Sequence, residues 1–187
     1  DASHYWADGL SGWRYGERKA MLWGSDRDVA GAAKDLRAAW RNRIENIRWY
    51  NAFRMGPQQM DEFHADMARF RPHLIVAYAG SAFIFARHLR ERGIVPGYPA
   101  RGIITSAEVL TPEMRETIEE VFPVPVFDRY GSREFGPLAA ECPAHAGMHV
   151  NERDCILEIE SRDAEAVPGR LIVTYLRNFA MPFIRYD

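Results

Sequence analysis

Cysteine is nearly absent: the 187 residues hold two, Cys142 and Cys155. Two cannot build the disulfide framework of a small secreted domain; they fit the reduced thiols of a cytoplasmic protein, or metal ligands. A basic excess is missing too. Lys and Arg number 24 against 26 Asp and Glu, a formal net charge of −2. No general nucleic-acid partner is expected, because neutralising phosphates needs surplus positive charge. The longest uncharged apolar stretch, Leu74 to Ala86, has 13 residues, whereas a membrane-spanning helix needs about 20, so no membrane partner is expected. No repeat or low-complexity segment stands out. The chain opens on Asp1 without a charged-then-apolar leader and closes at Asp187, directly after Phe183-Ile184. Both ends are therefore expected to be cuts in something longer.

What is present is ordinary globular material, 47% hydrophobic and 27% charged, which argues against disorder. The length suits one domain or one and a half, burying about 70% of the unfolded chain's surface. Ala20-Met21-Leu22-Trp23 reads as a short strand. From Asp28 to about Phe53, Val29, Ala33, Leu36, Trp40, Ile44 and Ile47 step by three and four, the pattern of an amphipathic helix. Met55-Gly56-Pro57 interrupts it, and a second helix carries Met60, Phe63, Met67 and Phe70 on one stripe. Leu74 to Tyr78 is short, continuous and apolar, a buried strand. Ser81 is expected to cap a helix running to Gly93, its C′ residue. Ile103-Ile104-Thr105 is another strand. Thr111-Pro112-Glu113 combines a cap, a first-turn proline and an early acid, starting a helix whose core face is Met114, Ile118, Val121 and Phe122. Val124 to Phe127 is the next strand. This alternation predicts right-handed βαβ units and a mostly parallel sheet. Beyond it, Cys155 to Glu160 and Leu171 to Leu176 read as an antiparallel hairpin around a turn with Asp163, Pro168 and Gly169. The expected fold is α/β, followed by a small antiparallel β subdomain. Residues 1–136 form the first part and 137–187 the second, with the break around 137 to 148.

Ligands of open parallel sheets bind at the carboxyl ends of strands. Three segments fall there: Tyr78-Ala79-Gly80-Ser81, Thr105-Ser106-Ala107-Glu108, and Asp128 to Gly136. In the third, Tyr130 offers a flat face, Gly131 lets backbone approach a ligand, Ser132 adds a hydroxyl, and Glu134 adds an acid suited to a hard cation. The plainer alternative is a strand-end turn with a surface acid. A second constellation, Cys142, His145, His149 and Cys155, has the spacing C-x2-H-x3-H-x5-C and the ligand types of a tetrahedral zinc site. The alternative there is a core cysteine beside surface histidines. The arginines between Asp28 and Arg54 read as a solvated helix face, or else a phosphate or coenzyme A footprint. His64, His73 and His88 read as surface or capping residues. Trp6, Trp13, Trp23, Trp40 and Trp49 read as core or partner-facing.

Ile104 to Leu110 together with Phe127 to Gly136 resemble the adenylate-forming (AMP-binding) ligase superfamily. Glu141-Cys142, Gly147 to Val150 and Pro182 to Tyr186 look like its phenylacetate–CoA ligase-type branch, which includes capsule-biosynthesis-associated ligases. The resemblance is good from Ile103 to Asp187 and looser from Trp13 through Gly24 onward. It implies the large N-terminal domain of an enzyme that activates a carboxylate with ATP and magnesium and passes the acyl group to a thiol such as coenzyme A. By that resemblance Tyr130 stacks on adenine, a contact worth about 1–3 kcal/mol, and Gly131 admits nucleotide and acyl group. Ser132 stands where the family usually has threonine and bonds phosphate, and Glu134 binds magnesium. Ser106, Ala107 and Glu108 line the adenine edge; Tyr78, Gly80 and Ser81 edge the acyl pocket. The family's phosphate loop has no counterpart in residues 1 to 50. Its ribose-binding aspartate should fall a few residues past Arg185-Tyr186, so Asp187 does not match it, and its lysine-bearing C-terminal domain is not in the chain. The resemblance therefore implies a fragment inert by itself, with the longer parent as the enzyme. The competing expectation is a non-catalytic, zinc-stabilised interaction module with a degenerate nucleotide fold. Oligomeric state stays open, a homodimer included.

Overall fold

The computed structural model describes residues 2–24, 36–160, 169–178 and 185–186. Helix α1 (Ala2–Leu10) leads to strand β1 (Lys19–Leu22). Helix α2 (Leu36–Ile44) and strand β2 (Ile47–Tyr50) follow. The helix expected to reach Phe53 thus stops nine residues earlier, and Ile47, its last apolar position, opens a strand. The residues give the reason. Asn46 takes a left-handed backbone at φ 54°, a conformation asparagine tolerates better than most residues. Its carbonyl accepts from the Lys19 N–H at 2.9 Å, which starts a parallel ladder in which Lys19 faces Ile47 and Leu22 faces Tyr50. The β-branched and aromatic run Ile-Arg-Trp-Tyr suits that pleated surface. The expected start of the helix, with Val29 and Ala33, lies outside the described residues.

Helix α3 (Pro57–Phe70) starts on a proline whose fixed φ suits the first turn, and buries Met60 and Met67. Strand β3 (Leu74–Tyr78) follows, then helix α4 (Ala79–Glu91). Ser81 does not cap α4: the helix begins two residues earlier, with Tyr78 extended at its N-cap position. The orphan amide of Gly80 donates instead to Glu108 Oε2 at 2.7 Å, a cap reaching across from the loop after the next strand. Gly93, at φ 66°, ends the helix as expected. Strand β4 (Gly102–Ser106) leads to helix α5 (Pro112–Val121), where Thr111 Oγ1 accepts from the Met114 N–H at 3.2 Å. Strand β5 (Val126–Ser132) outruns its expected end at Phe127 and turns through residues 133–135 into β6 (Gly136–Glu141) and then β7 (Met148–Val150).

One sheet of seven strands holds these in the order β2-β1-β3-β4-β5-β6-β7. Strands β1 to β5 are mutually parallel, while β6 and β7 add antiparallel. The expected division at 136/137 lies inside this sheet. The change of sheet falls between Val150 and Cys155, where β8 (Cys155–Glu160) pairs antiparallel with β9 (Arg170–Tyr175), and β9 with β10 (Arg185–Tyr186). The hairpin turn with Asp163 and Pro168, and Pro182-Phe183-Ile184, lie outside the described residues. The chain runs from β1 outward to β2, then returns past β1 to β3, which makes β1/β3 the topological switch point.

Two apolar clusters sandwich the sheet. On the α3–α4–α5 side, Leu22, Tyr50, Met67, Ile75, Phe85, Leu89, Ile103, Ile118 and Phe122 pack together. On the α1 side, Trp13, Leu74, Val76, Ile104 and Phe127 do so. A third cluster, Leu138, Cys155 and Val173, fastens the small sheet to β6. His88 is buried at 7% exposure with Nε2 2.8 Å from Asp61, and so is not the surface residue expected. No helix among the described residues is long and apolar enough to cross a membrane.

The β5–β6 hairpin bulges between Tyr130 and Gly131. A Cβ at Gly131 would stand 2.3 Å from the Gly136 carbonyl oxygen, whereas one at Gly80 would meet only the mobile carboxylate end of Glu108 at 2.9 Å. Gly131→Ala is therefore expected to lose about 1–3 kcal/mol or more in urea denaturation, as overpacking against fixed backbone does. Gly80→Ala should lose clearly less. Equal losses would show that the β5–β6 backbone yields freely.

Candidate functional site

Alternation along the strands decides what lies at the carboxyl edge of the sheet. Met21 and Trp23, Val76 and Tyr78, Ile104 and Ser106, and Phe127 and Arg129 are pairs two residues apart. The first of each pair packs in or against the α1-side cluster. The second lies one step further toward the carboxyl ends, on the same face. There a cavity of about 510 Å³ opens, lined by Trp23, Trp49, Tyr78, Ser106 and Arg129 from or just after the five parallel strands. Ala107, Gly131, Ser132, Arg133, Gly136 and Pro137 complete the wall, with His4 of α1. The Trp23 and Tyr78 rings stack with centroids 4.1 Å apart across the switch point. The Trp49 indole Nε1 is buried without a hydrogen-bond partner among the described residues.

Three buried charges lie behind this wall. Asp8 accepts from Lys19 Nζ at 2.7 Å and from Arg129 Nη1 at 3.3 Å. Lys19 also stands 4.6 Å over the Trp13 ring, a cation–π contact. Burial holds the Arg129 guanidinium below its ordinary pKa, with the Asp8 charge opposing. His4, one helical turn before Asp8, is pushed down to about 4, first by burial and then by the charge of Arg129. At neutral pH it is an uncharged imidazole.

The expected site residues divide. Tyr78, Ser106, Ala107, Gly131 and Ser132 meet at the cavity. Ser106 Oγ donates to the Arg129 carbonyl at 3.0 Å, locking the β4 end to β5. Ala107 takes φ 67°, so the loop after β4 turns in a left-handed conformation that places its backbone on the wall. Ser132 Oγ accepts from the Phe135 N–H at 3.3 Å, tying the turn that carries Glu134. Glu134 is exposed; its own backbone N–H, then the Ser132 hydroxyl, hold its carboxyl below the usual range. Tyr130 is 48% exposed, alternates with Arg129 along β5, and is absent from the cavity wall. Glu108 and Gly80 pair with each other at the start of α4, and Ser81 is buried in its first turn.

Trp23 and Trp49, expected as core or partner-facing, line the cavity, and Arg129 and His4 were not singled out. Trp23 stands directly after an apolar run, the carboxyl end of a strand, which is the signal that marks it. Arg129 becomes visible once β5 is extended to Ser132, because alternation then puts it on the face of Phe127.

The zinc constellation is not assembled. Among the described residues no three His, Cys, Asp or Glu side chains stand together as metal ligands. Cys155 is buried against Leu138 and Val173, with Sγ 3.4 Å from the Asn151 carbonyl. His145 stacks on Phe127 at 5.2 Å and lies 3.4 Å from Glu141 Oε2. Glu141 in turn receives both Arg115 Nη2 contacts, at 3.0 and 2.8 Å, and the Asp128 N–H at 2.7 Å. Burial pushes Glu141 up, but those donors outweigh it and leave its carboxyl low, while burial pushes Asp128 up. These groups brace the back of β5. Glu134, a single ionised carboxylate at an open turn, fits a cation shared with substrate phosphates, which needs only one or two protein carboxylates.

No family model matches the chain. Protein CapK of Staphylococcus aureus is 24% identical over 161 residues, which are 86% of this chain and 35% of CapK. Among solved structures, an open conformation of 2-hydroxyisobutyryl-CoA ligase in complex with 2-HIB-AMP and CoA superposes with a TM-score of 0.67 at 16% identity, over 94% of this chain and 42% of the ligase. The anthranilate CoA ligase AuaEII in complex with anthranoyl-AMP gives 0.59 at 15% identity, over 93% of this chain and 34% of that one. A long-chain-fatty-acid-CoA ligase (FadD1) from Archaeoglobus fulgidus gives 0.55 at 10%, over 93% and 37%. The chain shares its fold with part of each of these CoA ligases. The chain spans between 34% and 42% of those ligases.

The depressed pKa of His4 has a sign that can be checked. An unfolded histidine titrates at 6.5 and the folded His4 at about 4, so between those values the unfolded state holds more protons. Stability contributed by neutral His4 is complete above 6.5 and lost as pH falls toward 4. Melting temperature is expected to drop from pH 7 to pH 5, and His4→Gln to flatten that slope. An unchanged slope in the variant would remove His4 from this account.

Proposed function

We propose that these residues are the nucleotide- and acid-binding part of an adenylate-forming ligase that activates a small carboxylic acid with ATP and passes the acyl group to coenzyme A. One observation carries the reading: Ser106-Ala107 and Gly131-Ser132, two segments singled out at separate strand ends, line one cavity at the carboxyl edge of a parallel sheet. That edge, at a topological switch point, is where open α/β sheets bind ligands. Two of the matched ligases hold an acyl-AMP, and one of these also CoA, which supports both substrates.

In this reading the acid lies in the cavity, its flat part against Trp23, Trp49 and Tyr78, and its carboxylate attacks the α-phosphate of ATP, releasing pyrophosphate. Tyr130 stacks on adenine from the other face of β5. The Ser132 hydroxyl and the backbone of the 131–135 turn hold phosphate oxygens. Glu134 would hold magnesium, which when bound neutralises charge on the phosphates and on the departing pyrophosphate. Because the chain spans under half of each matched ligase, the activity is proposed for the whole protein, and these 187 residues alone should release no pyrophosphate.

A pyrophosphate-release screen of the whole protein over aryl and alkyl carboxylates tests the class. Within it, Tyr130→Ala should mainly raise the KM for ATP, by the equivalent of about 1–3 kcal/mol. Glu134→Gln should lower turnover about a hundredfold, partly restored by added magnesium. If both variants turn over like the wild type, Tyr130 and Glu134 are not at the active site.

A further inference from the structure

The lining of the cavity says what kind of acid it suits. Among the described residues it includes two arginines, Arg129 and Arg133, and no carboxylate. Arg129 is buried at 7% exposure, while Arg133 stands exposed in the turn after Ser132. Asp8, the acid behind Arg129, is already shared with Lys19 at the shorter distance of 2.7 Å. Among the described residues, two buried cations share one buried anion, which leaves a positive charge without compensation beside the cavity, a costly state that an incoming anion relieves. The Asp8 contact engages one of five guanidinium donors, so Arg129 retains donors for a ligand. Trp23, Tyr78 and Trp49 make the walls flat.

Building on the ligase reading, we propose that the acid is a planar, aromatic one carrying a second anionic group, and that Arg129 is the residue that selects it. One carboxylate lies toward Ser132 and Arg133, where it is activated, and the other is held by Arg129. The nucleotide's phosphate is the competing anion. Tyr130, the proposed adenine platform, alternates with Arg129 along β5 and is absent from the cavity wall, which favours the acid as the ligand of Arg129.

Titration of the 187-residue chain with benzoate, isophthalate and AMP, read by calorimetry, decides the matter. Isophthalate is expected to bind about tenfold or more tighter than benzoate, as a buried charge pair requires. Arg129→Gln should bring the two acids level, and Arg129→Lys should keep the preference. Should Arg129→Gln fail to fold, the wild-type preference and its survival in Arg129→Lys carry the test. Equal binding of the two acids, no binding of either, a preference that survives in Arg129→Gln, or a loss confined to AMP would each overturn the proposal. Pyrophosphate release by the whole protein separates the two levels. Release with benzoate as readily as with isophthalate refutes the dianionic acid and keeps the ligase. Release with no acid refutes the ligase, while the binding preference still judges Arg129.

Discussion

Asp8 holds together what the rest of the site depends on. Its carboxylate takes Lys19 from β1 and Arg129 from β5, so one acid on α1 ties the two sides of the parallel sheet to one helix. The three groups are nearly fully buried, at 1%, 5% and 7% exposure. A buried charge left without its partner costs roughly 3–5 kcal/mol, so α1 has little freedom to sit elsewhere. Because His4 and Asp8 are four residues apart, they share a helix face. Seating Asp8 over the sheet therefore also seats His4 on the cavity wall, and closes over strand ends that would otherwise face solvent.

Topology supplies the other constraint. The strand order reverses between β1 and β3, the place where open parallel sheets form a crevice. Trp23 and Tyr78 stack across it, so the crevice is walled by aromatic faces rather than left as a gap. The next strand along is bound to this arrangement from the far side: Glu108, in the loop after β4, caps the helix that starts directly after Tyr78. The loop after β4 and the helix after β3 thus move as one piece. The hydroxyl of Ser106 does the same between β4 and β5. The cavity wall is a chain of strand ends, each hydrogen-bonded to its neighbour.

Much of this was legible in residue order. Leu74 to Tyr78, the Thr111-Pro112-Glu113 start and the Cys155 and Leu171 strands stand where runs and caps put them, because each depends on local chemistry. Ile47 shows where local chemistry is ambiguous. It keeps the three-residue step from Ile44 and so extends a helical stripe, yet a left-handed Asn46 and a waiting edge on β1 convert the run to strand. The cysteine and histidine spacing failed for a different reason. Closeness along the chain is not closeness in space once Cys155 joins a second sheet and His145 stacks on the back of β5. Arg129 was hidden because a charged residue next to Asp128 and two places before a glycine looks like loop; only the full length of β5 shows that it shares a face with Phe127.

Strand β5 finally shows how one short segment serves two roles. Alternation sends Arg129 to the α1 side, onto the cavity wall, and Tyr130 to the other, half exposed. The next residue must be glycine for a reason that involves no ligand: the Gly136 carbonyl occupies the place of its Cβ. The bulge at that point shifts the register, after which Gly131 pairs with Pro137 and Ser132 with Gly136, and the Ser132 hydroxyl clamps the turn beyond. Of the tyrosine, glycine, hydroxyl and acid in this run, the hairpin itself accounts for two: the glycine by the backbone crossing and the hydroxyl by the turn clamp. The same hairpin geometry that demands the glycine ends β5 with Ser132 on the cavity wall and leaves Glu134 exposed in the turn.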